Sequence, residues 1–315
     1  MKTKIGIYGM NGHQIGHLQH DRACIAAAAC CGREWEGVKN YNSLEEMLAD
    51  PEIDMISLCS PRRADQARQA IACMEAGKHV YAEKPCAMSI KELDEIIETS
   101  KRTGKIFHEM AGTAFYEPYA TIRDIVARGV IGDVVQVFAQ KSYPYHDRRP
   151  QDENIDGGLI EQAGIHAIRF IEHVAGQKIV NVSAMETGYS NPGTGDLQMA
   201  ASISMELANG GVASMICNYL NQKGFGSWGN EHLRIFGTLG FIESVDAGTK
   251  TRLVVGDKDR GPITIANSGP NFFDAIIDQI QKGAAPLLSI EDELHPTRVV
   301  ISAKESADCG CIVKV

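Results

Sequence analysis

Through its first 118 or so residues the chain alternates short apolar runs with stretches of helical periodicity, which predicts strands and helices in succession and hence a parallel sheet. Strands are expected at 4–8, 24–31, 55–59, 80–82 and 105–108, the second alanine-rich and weakly specified. Two Ser-x-x-Glu spacings, Ser43 to Glu46 and Ser89 to Glu92, read as capping boxes and open helices reaching about residues 48 and 101. A helix at 64–76 stops at Gly77, a residue suited to the C-cap. From about residue 119 the period changes. Helices are expected at 121–127, 159–175, 271–282 and 290–307. Strand-like alternation fills 133–140, 180–187, 198–207, 212–219, 232–236, 240–244 and 252–255. Ala208-Asn209-Gly210-Gly211 joins two of these as a tight hairpin. The pattern therefore divides into residues 1–118, a nucleotide-type parallel domain, and residues 119–315, an antiparallel-sheet domain for substrate binding and oligomerisation. The C-terminal helix is available to pack back on the first domain. Residues 141–158 form the longest irregular stretch, and long loops in compact domains are often functional.

At 315 residues the chain can bury a large core, and 44% hydrophobic with 23% charged residues is the composition of a soluble globular protein. A net charge of −9 disfavours nucleic acid and anionic membrane as partners, and no apolar run approaches a membrane span. Met1 to Lys4 run straight into the first strand and leave no room for a signal peptide, so the expected compartment is the cytosol. The nine cysteines form no Cys-x-x-Cys pair and read as buried reduced thiols; Cys30-Cys31 and Cys309-Gly310-Cys311 are too close for ordinary disulfide frameworks.

The chemistry-bearing residues sit at element ends. Glu83-Lys84-Pro85 lies where an apolar strand stops and a capped helix begins, and strand ends of open α/β sheets are where ligands bind. A lysine there meets cofactor and substrate together. The first strand leads into Gly9-Met10-Asn11-Gly12-His13-Gln14. A dinucleotide fingerprint asks for glycine at three positions, and only Gly9 meets it. Asn11 tolerates a left-handed backbone, Gly12 offers close approach to a pyrophosphate, and Gln14 is bulky where the third glycine would let helix and strand pack. His13, His17 and His20 have helical spacing, which the turn context assigns to an ordinary first helix rather than to a metal; no metal is expected. At the end of the second strand the acid that would grip the ribose of NAD is missing. Arg33 there suits the 2′-phosphate of NADP, while Glu34 or Glu36 serves a ribose if the loop curls back; the cofactor is NAD or NADP. The second helix of this unit looks deleted.

Farther on, Gly157-Gly158 precede a helix carrying Glu161, Gln162 and His166. Gln162 and His166, four residues apart, line one face, while Glu161 points elsewhere. A histidine near a lysine in a cleft suits proton transfer because its pKa lies near neutrality.

These residues together make the chain similar to the Gfo/Idh/MocA oxidoreductases. The matching stretches are residues 51–54, 75–85 with Glu83-Lys84-Pro85, Tyr116-Glu117-Pro118, 129–133, Gly157-Gly158 with His166, and 235–240. The resemblance implies an α/β fold: an N-terminal Rossmann domain with a doubly wound parallel sheet and a C-terminal α+β domain with an open, mainly antiparallel sheet. It implies hydride transfer between nicotinamide and a sugar, inositol or related polyol. Lys84 would orient the substrate hydroxyl and His166 act as acid and base. The dinucleotide would lie along residues 9–14, Arg33, Cys59, Ser60, Pro61, Glu83 and Lys84. Three positions depart from the family pattern: Gln162 replaces an aspartate, Gly112-Thr113-Ala114-Phe115 replaces a polar run, and Asp65 stands where a histidine is common. Glutamine accepts no proton at neutral pH, so a relay rests on His166, and Gln162 only hydrogen-bonds a substrate oxygen.

The expected reaction has a secondary alcohol bound between the domains, His166 removing its proton as hydride leaves, and Lys84 stabilising the developing alkoxide. Tyr145, His146 and Arg148 are candidate substrate contacts, the last for a carboxylate or phosphate. Two rivals are a hydride-recycling elimination or glycoside-cleaving enzyme and a non-catalytic cofactor-sensing regulator. A homodimer or homotetramer is expected through the strands at 198–219, which alternate with apolar residues on both sides, Met199, Ala201, Ile203 and Met205 among them.

Overall fold

The computed structural model describes residues 1–266 and 271–315. The chain divides into two compact units. The first comprises Met1–Ala111, Asn154–Gly157 and Phe272–Thr297; the second comprises Gly112–Glu153, Gly158–Asn271 and Arg298–Val315.

The first unit is built on strands β1 (Thr3–Tyr8), β2 (Ala23–Ala29), β3 (Lys39–Tyr41), β4 (Met55–Leu58), β5 (His79–Ala82) and β6 (Phe107–Glu109). They form one parallel sheet in the order β3-β2-β1-β4-β5-β6, with Ile5 opposite both Ile25 and Met55. Its central strands are buried except at Lys4 near the start of β1, as a sheet covered on both faces requires. Three helices lie along the chain between the strands: α1 (Leu44–Leu48), α2 (Gln66–Glu75) and α3 (Ile90–Thr103). Both serines cap their helices, while Glu46 and Glu92 reach back to the amides of Asn42 and Met88, one residue before each serine. Ser43 accepts from the Glu46 amide at 3.2 Å and Ser89 from the Glu92 amide at 3.3 Å. α3 closes on Gly104 at φ +66°, with Lys101 and Arg102 in its last turn, the sign its dipole favours. α7 (Phe272–Lys282) also belongs to this unit.

The expected first helix does not form: residues 9–22 are turns and bends. Two causes are visible. The Gln14 carboxamide turns inward, donating to the carbonyls of Gly9 (3.0 Å) and Ser57 (3.1 Å) and accepting from the Ser57 hydroxyl, so it closes the gap between the ends of β1 and β4. The Trp35 ring lies against Gly16, where a Cβ would come within 2.1 Å of it. The connection between β2 and β3 also contains no helix, in line with the deletion read from the sequence.

The second unit carries a nine-stranded sheet in the order β14-β13-β12-β11-β7-β10-β9-β8-β15. Its members are β7 (Val134–Ser142), β8 (Ile179–Thr187), β9 (Ala200–Leu207), β10 (Val212–Asn218), β11 (Asn230–Gly237), β12 (Gly240–Val245), β13 (Lys250–Val255), β14 (Lys258–Asp259) and β15 (Val313–Lys314). Every pair is antiparallel except β7 with β10. The remaining helices are α4 (Tyr119–Ala127), α5 (Glu153–Asp156), α6 (Ile165–Arg169) and α8 (Ile290–Cys309); α5 begins in one unit and ends in the other, and α8 passes from the first unit to the second after Thr297. α6 is flanked by π-helical turns at Ile160–Gly164 and Phe170–Val174, so the helix expected over 159–175 is present but locally unwound.

The core of this unit joins Ile122, Ile165, Ile168, Phe170 and Val300 to the inner face of the sheet. Met199, Ala201, Ile203 and Met205 all belong to that core, while Ser202, Ser204 and Glu206 face outward. The expectation that these strands are apolar on both sides is therefore corrected: period-2 alternation sends the two classes to opposite faces. Cys309 and Cys311 are also corrected, being bonded to each other. Gly310 at φ +63° turns the chain so that their Cα atoms sit 5.4 Å apart, within disulfide range. The other seven cysteines are free thiols, but only Cys59, Cys73, Cys86 and Cys217 are buried as expected; Cys24 and Cys31 are half-buried and Cys30, in the turn after β2, is exposed.

Candidate active site

In the first unit the tips of β1, β4 and β5 converge. Gly9 (φ +68°) leaves β1 so tightly that a Cβ would meet the Cys59 carbonyl oxygen at 2.1 Å, which only glycine tolerates. The Asn11 amide donates to the same oxygen at 3.3 Å, and its side chain reaches the Pro61 carbonyl. Ser60 is held by Gln66 and Gln69. Met10 is exposed.

Glu83, 1% exposed, is the hub of the turn. It accepts from the His13 amide at 2.8 Å and lies 3.0 Å from His13 Nδ1. The space that Gly12 leaves by lacking a Cβ is filled by this carboxylate, not by an open approach for phosphate. Lys84 Nζ lies 3.5 Å from Glu83, and Lys84 is fully buried. Burial pushes the Glu83 carboxyl up, but Lys84, His13 and Arg63 outweigh it and hold its pKa at about 2. The peptide bonds at Lys84-Pro85 and Glu117-Pro118 are cis.

Sequence reasoning missed Arg63. It is 2% exposed, donates to the Asn11 carbonyl at 2.7 Å and to Gln66, and makes no ion pair among the described residues. No helix dipole points at the glycine turn, yet this guanidinium places positive charge beneath it. Strand order, convergent tips, the tight Gly9 turn and the buried cations Arg63 and Lys84 suit a nicotinamide dinucleotide in this unit, whereas the Gly12 position is taken by the Glu83 carboxylate.

Arg33 follows β2. Its guanidinium lies 5.1 Å from the Trp35 ring centre, while Glu34 and Glu36 are exposed.

The second unit carries the proton-transfer candidates. His166 on α6 is 6% exposed; its Nδ1 lies 3.2 Å from the Thr113 hydroxyl, and its ring meets Tyr143 edge-on at 6.4 Å. Thr113 thus takes up the position where the polar run was missing. Gln162, within the first π-helical turn, accepts from the Tyr219 hydroxyl at 3.4 Å. Arg149 stacks on Tyr219 at 3.8 Å and is buried, whereas Arg148, the residue singled out from sequence, is exposed. Tyr145 packs half-buried against the core. His146 lies 5.8 Å from Trp228, which also meets Tyr143 at 6.2 Å and remains 57% exposed. Trp228 gave no sequence signal, because its place depends on Asn221 bonding the carbonyls of Ser227 and Trp228. Glu161 faces Glu153, Glu186, Asp308 and Lys304. Burial first, then the neighbouring carboxylates, raise its pKa well above the ordinary value.

Comparisons with known proteins agree with this architecture. A profile described as "Oxidoreductase family, NAD-binding Rossmann fold" matches residues 13–110, and the GFO/IDH/MocA C-terminal domain matches residues 119–243. The chain belongs to the GFO/IDH/MocA oxidoreductase family. It is 30% identical over 186 residues to the bovine (Bos taurus) trans-1,2-dihydrobenzene-1,2-diol dehydrogenase, a match spanning 54% of this chain and 55% of that protein. It is 23% identical to myo-inositol 2-dehydrogenase of Thermotoga maritima, over 86% of this chain and 82% of that one. Aldose-aldose oxidoreductase from Caulobacter crescentus, solved with glycerol, superposes at TM-score 0.82 over the full length of both chains with 20% identity, a likeness of fold. No helix among the described residues is long and apolar enough to cross a membrane.

Proposed function

We propose that the chain is a nicotinamide-dependent dehydrogenase acting on a secondary alcohol of a sugar, inositol or related polyol. The observation that carries this reading is Lys84: a fully buried ammonium at the tip of β5, balanced by a carboxylate that also ties down the glycine turn. A buried ammonium is costly to keep unless it serves charge that develops nearby. The dinucleotide, when bound, supplies the hydride acceptor or donor.

Every other role falls to side chains of this chain. Lys84 orients the substrate hydroxyl and stabilises its oxygen as the proton leaves. His166 takes that proton, with Thr113 at Nδ1 fixing the ring so that Nε2 is the working atom. Gln162 hydrogen-bonds a substrate oxygen and is held by Tyr219. His146 and Trp228 form a wall against which a polyol ring packs, with Tyr145 behind it against the core and Arg148 exposed. Relatives named for a dihydrodiol and for inositol support a vicinal diol as substrate. Residues 1–118 are assigned the cofactor and residues 119–315 the substrate and self-association. A homodimer or homotetramer is supported by Val135, Val212 and Phe236, apolar residues exposed on the large sheet.

A panel of cyclic and open-chain polyols tests the reading. Lys84→Met and His166→Ala are each expected to cut turnover roughly 10²–10⁴-fold, and His166→Ala to do so with dinucleotide affinity unchanged. Wild-type rates in both variants would end it.

A further inference from the structure

We propose that this enzyme selects NADP(H) over NAD(H), and that Arg33 is the residue that decides. The inference rests on the dehydrogenase reading above and deepens it. In a parallel sheet of this order the dinucleotide crosses the tips of β1 and β2, and the residue after β2 meets the adenosine ribose. NAD specificity needs a carboxylate there to accept from both ribose hydroxyls. Here β2 ends at Ala29 and runs into Cys30-Cys31-Gly32-Arg33. The β2 tip lies against the glycine turn, since Cys31 Sγ is 3.2 Å from the Ala29 carbonyl and 3.9 Å from that of Gly9. The four residues directly after β2, Cys30 to Arg33, include no acid.

Two further observations bear on Arg33. Among the described residues no carboxylate lies within ion-pair distance of it, although Glu34 and Glu36 are near in sequence. Its guanidinium is stacked over Trp35, whose ring in turn fills the space beside Gly16 on the glycine-turn loop. A guanidinium is planar and always charged, and its forked N–H donors match a pair of phosphate oxygens. Arg33 is thus an exposed cation with no carboxylate partner among the described residues, beside the ring that packs on the loop after β1. A 2′-phosphate is the group on these cofactors that matches it.

The molecule supplies its own reporter. Trp35 and Trp228 are the two tryptophans, so Trp228→Phe leaves Trp35 as the single emitter. Its fluorescence is titrated with NADP+ and with NAD+, with no substrate present. NADP+ is expected to bind roughly tenfold or more tightly than NAD+, and Arg33→Ala to bring the two affinities together by weakening NADP+ alone. Arg33→Asp should reverse the preference. Equal or tighter binding of NAD+ before mutation, or equal weakening of both cofactors by Arg33→Ala, overturns the role of Arg33 and leaves the dehydrogenase reading standing. If neither dinucleotide binds at all, the dehydrogenase reading fails and this inference falls with it.

Discussion

The two halves of the six-stranded sheet solve the same covering problem in opposite ways. Between β4 and β6 each connection is a helix, α2 and then the capped α3, which supply the cover from nearby sequence. From β1 to β3 the long connections are loops. Their stretch Gly12-His13-Gln14-Ile15-Gly16-His17 is rich in glycine and histidine, which are poor helix formers. The loops are held instead by long-range contacts. Gln14 bridges β1 and β4, Trp35 fills the place beside Gly16, and α7 arrives from some 250 residues away in sequence. Arg22 pairs with Asp274 at 2.7 Å and with Asp278, and Gln281 donates to Thr3 Oγ1 and the Arg22 carbonyl. Where local sequence cannot make a helix, polar side chains and a distant helix take over, and each contact then matters individually.

This contrast is sharpest at two left-handed glycines. Gly9, in the loop half, has the Cys59 carbonyl 2.1 Å from any added Cβ; Gly104, closing α3 in the helical half, has nothing within 4 Å. Gly9→Ala is expected to cost about 3 kcal/mol, combining backbone strain and overpacking. Gly104→Ala should cost about 1 kcal/mol from backbone strain alone. Urea unfolding midpoints measure both, and equal costs would erase the distinction between the halves.

Glu83 joins the halves, since it sits after β5 and binds the turn after β1. Its pKa is lowered from 4.5 to about 2 on folding, so the folded state binds this proton less tightly than the unfolded chain. It therefore adds stability above pH 4.5 that disappears as the pH falls toward 2. Glu83→Gln is expected to flatten the acid limb of the stability–pH curve in that window. An unchanged limb would show that the turn does not depend on this carboxylate. The smallest effect belongs to the helical half. Ser89→Ala removes one arm of the α3 capping box and should cost about 1 kcal/mol by the same unfolding measurement, with dinucleotide affinity untouched.

The helical half was legible because caps and periodicity are local signals. Ser43, Ser89, Gly77 and Gly104 marked their elements to within a few residues. The antiparallel strands of the second unit were also legible, although the outward and inward faces of β9 were not separated until the alternation was read one residue at a time. The missing first helix was not legible. The glycine turn suggested an ordinary successor, and the groups that prevent one, Ser57 and Trp35, lie well outside it in sequence. Arg63 and Thr113 escaped for the same reason: each gains its meaning from a partner distant in the chain.

Residue types alone therefore settled the family, the alternation of elements, the lysine after β5 and the histidine on the long helix, because each is written in neighbouring positions. Which guanidinium is buried, which aromatic ring stands beside His146, how the glycine turn is braced and what covers β1 were decided by the tertiary structure. Hydrogen bonds and ring contacts between distant segments act over a few ångströms in space, and their separation along the chain leaves no periodic trace to read.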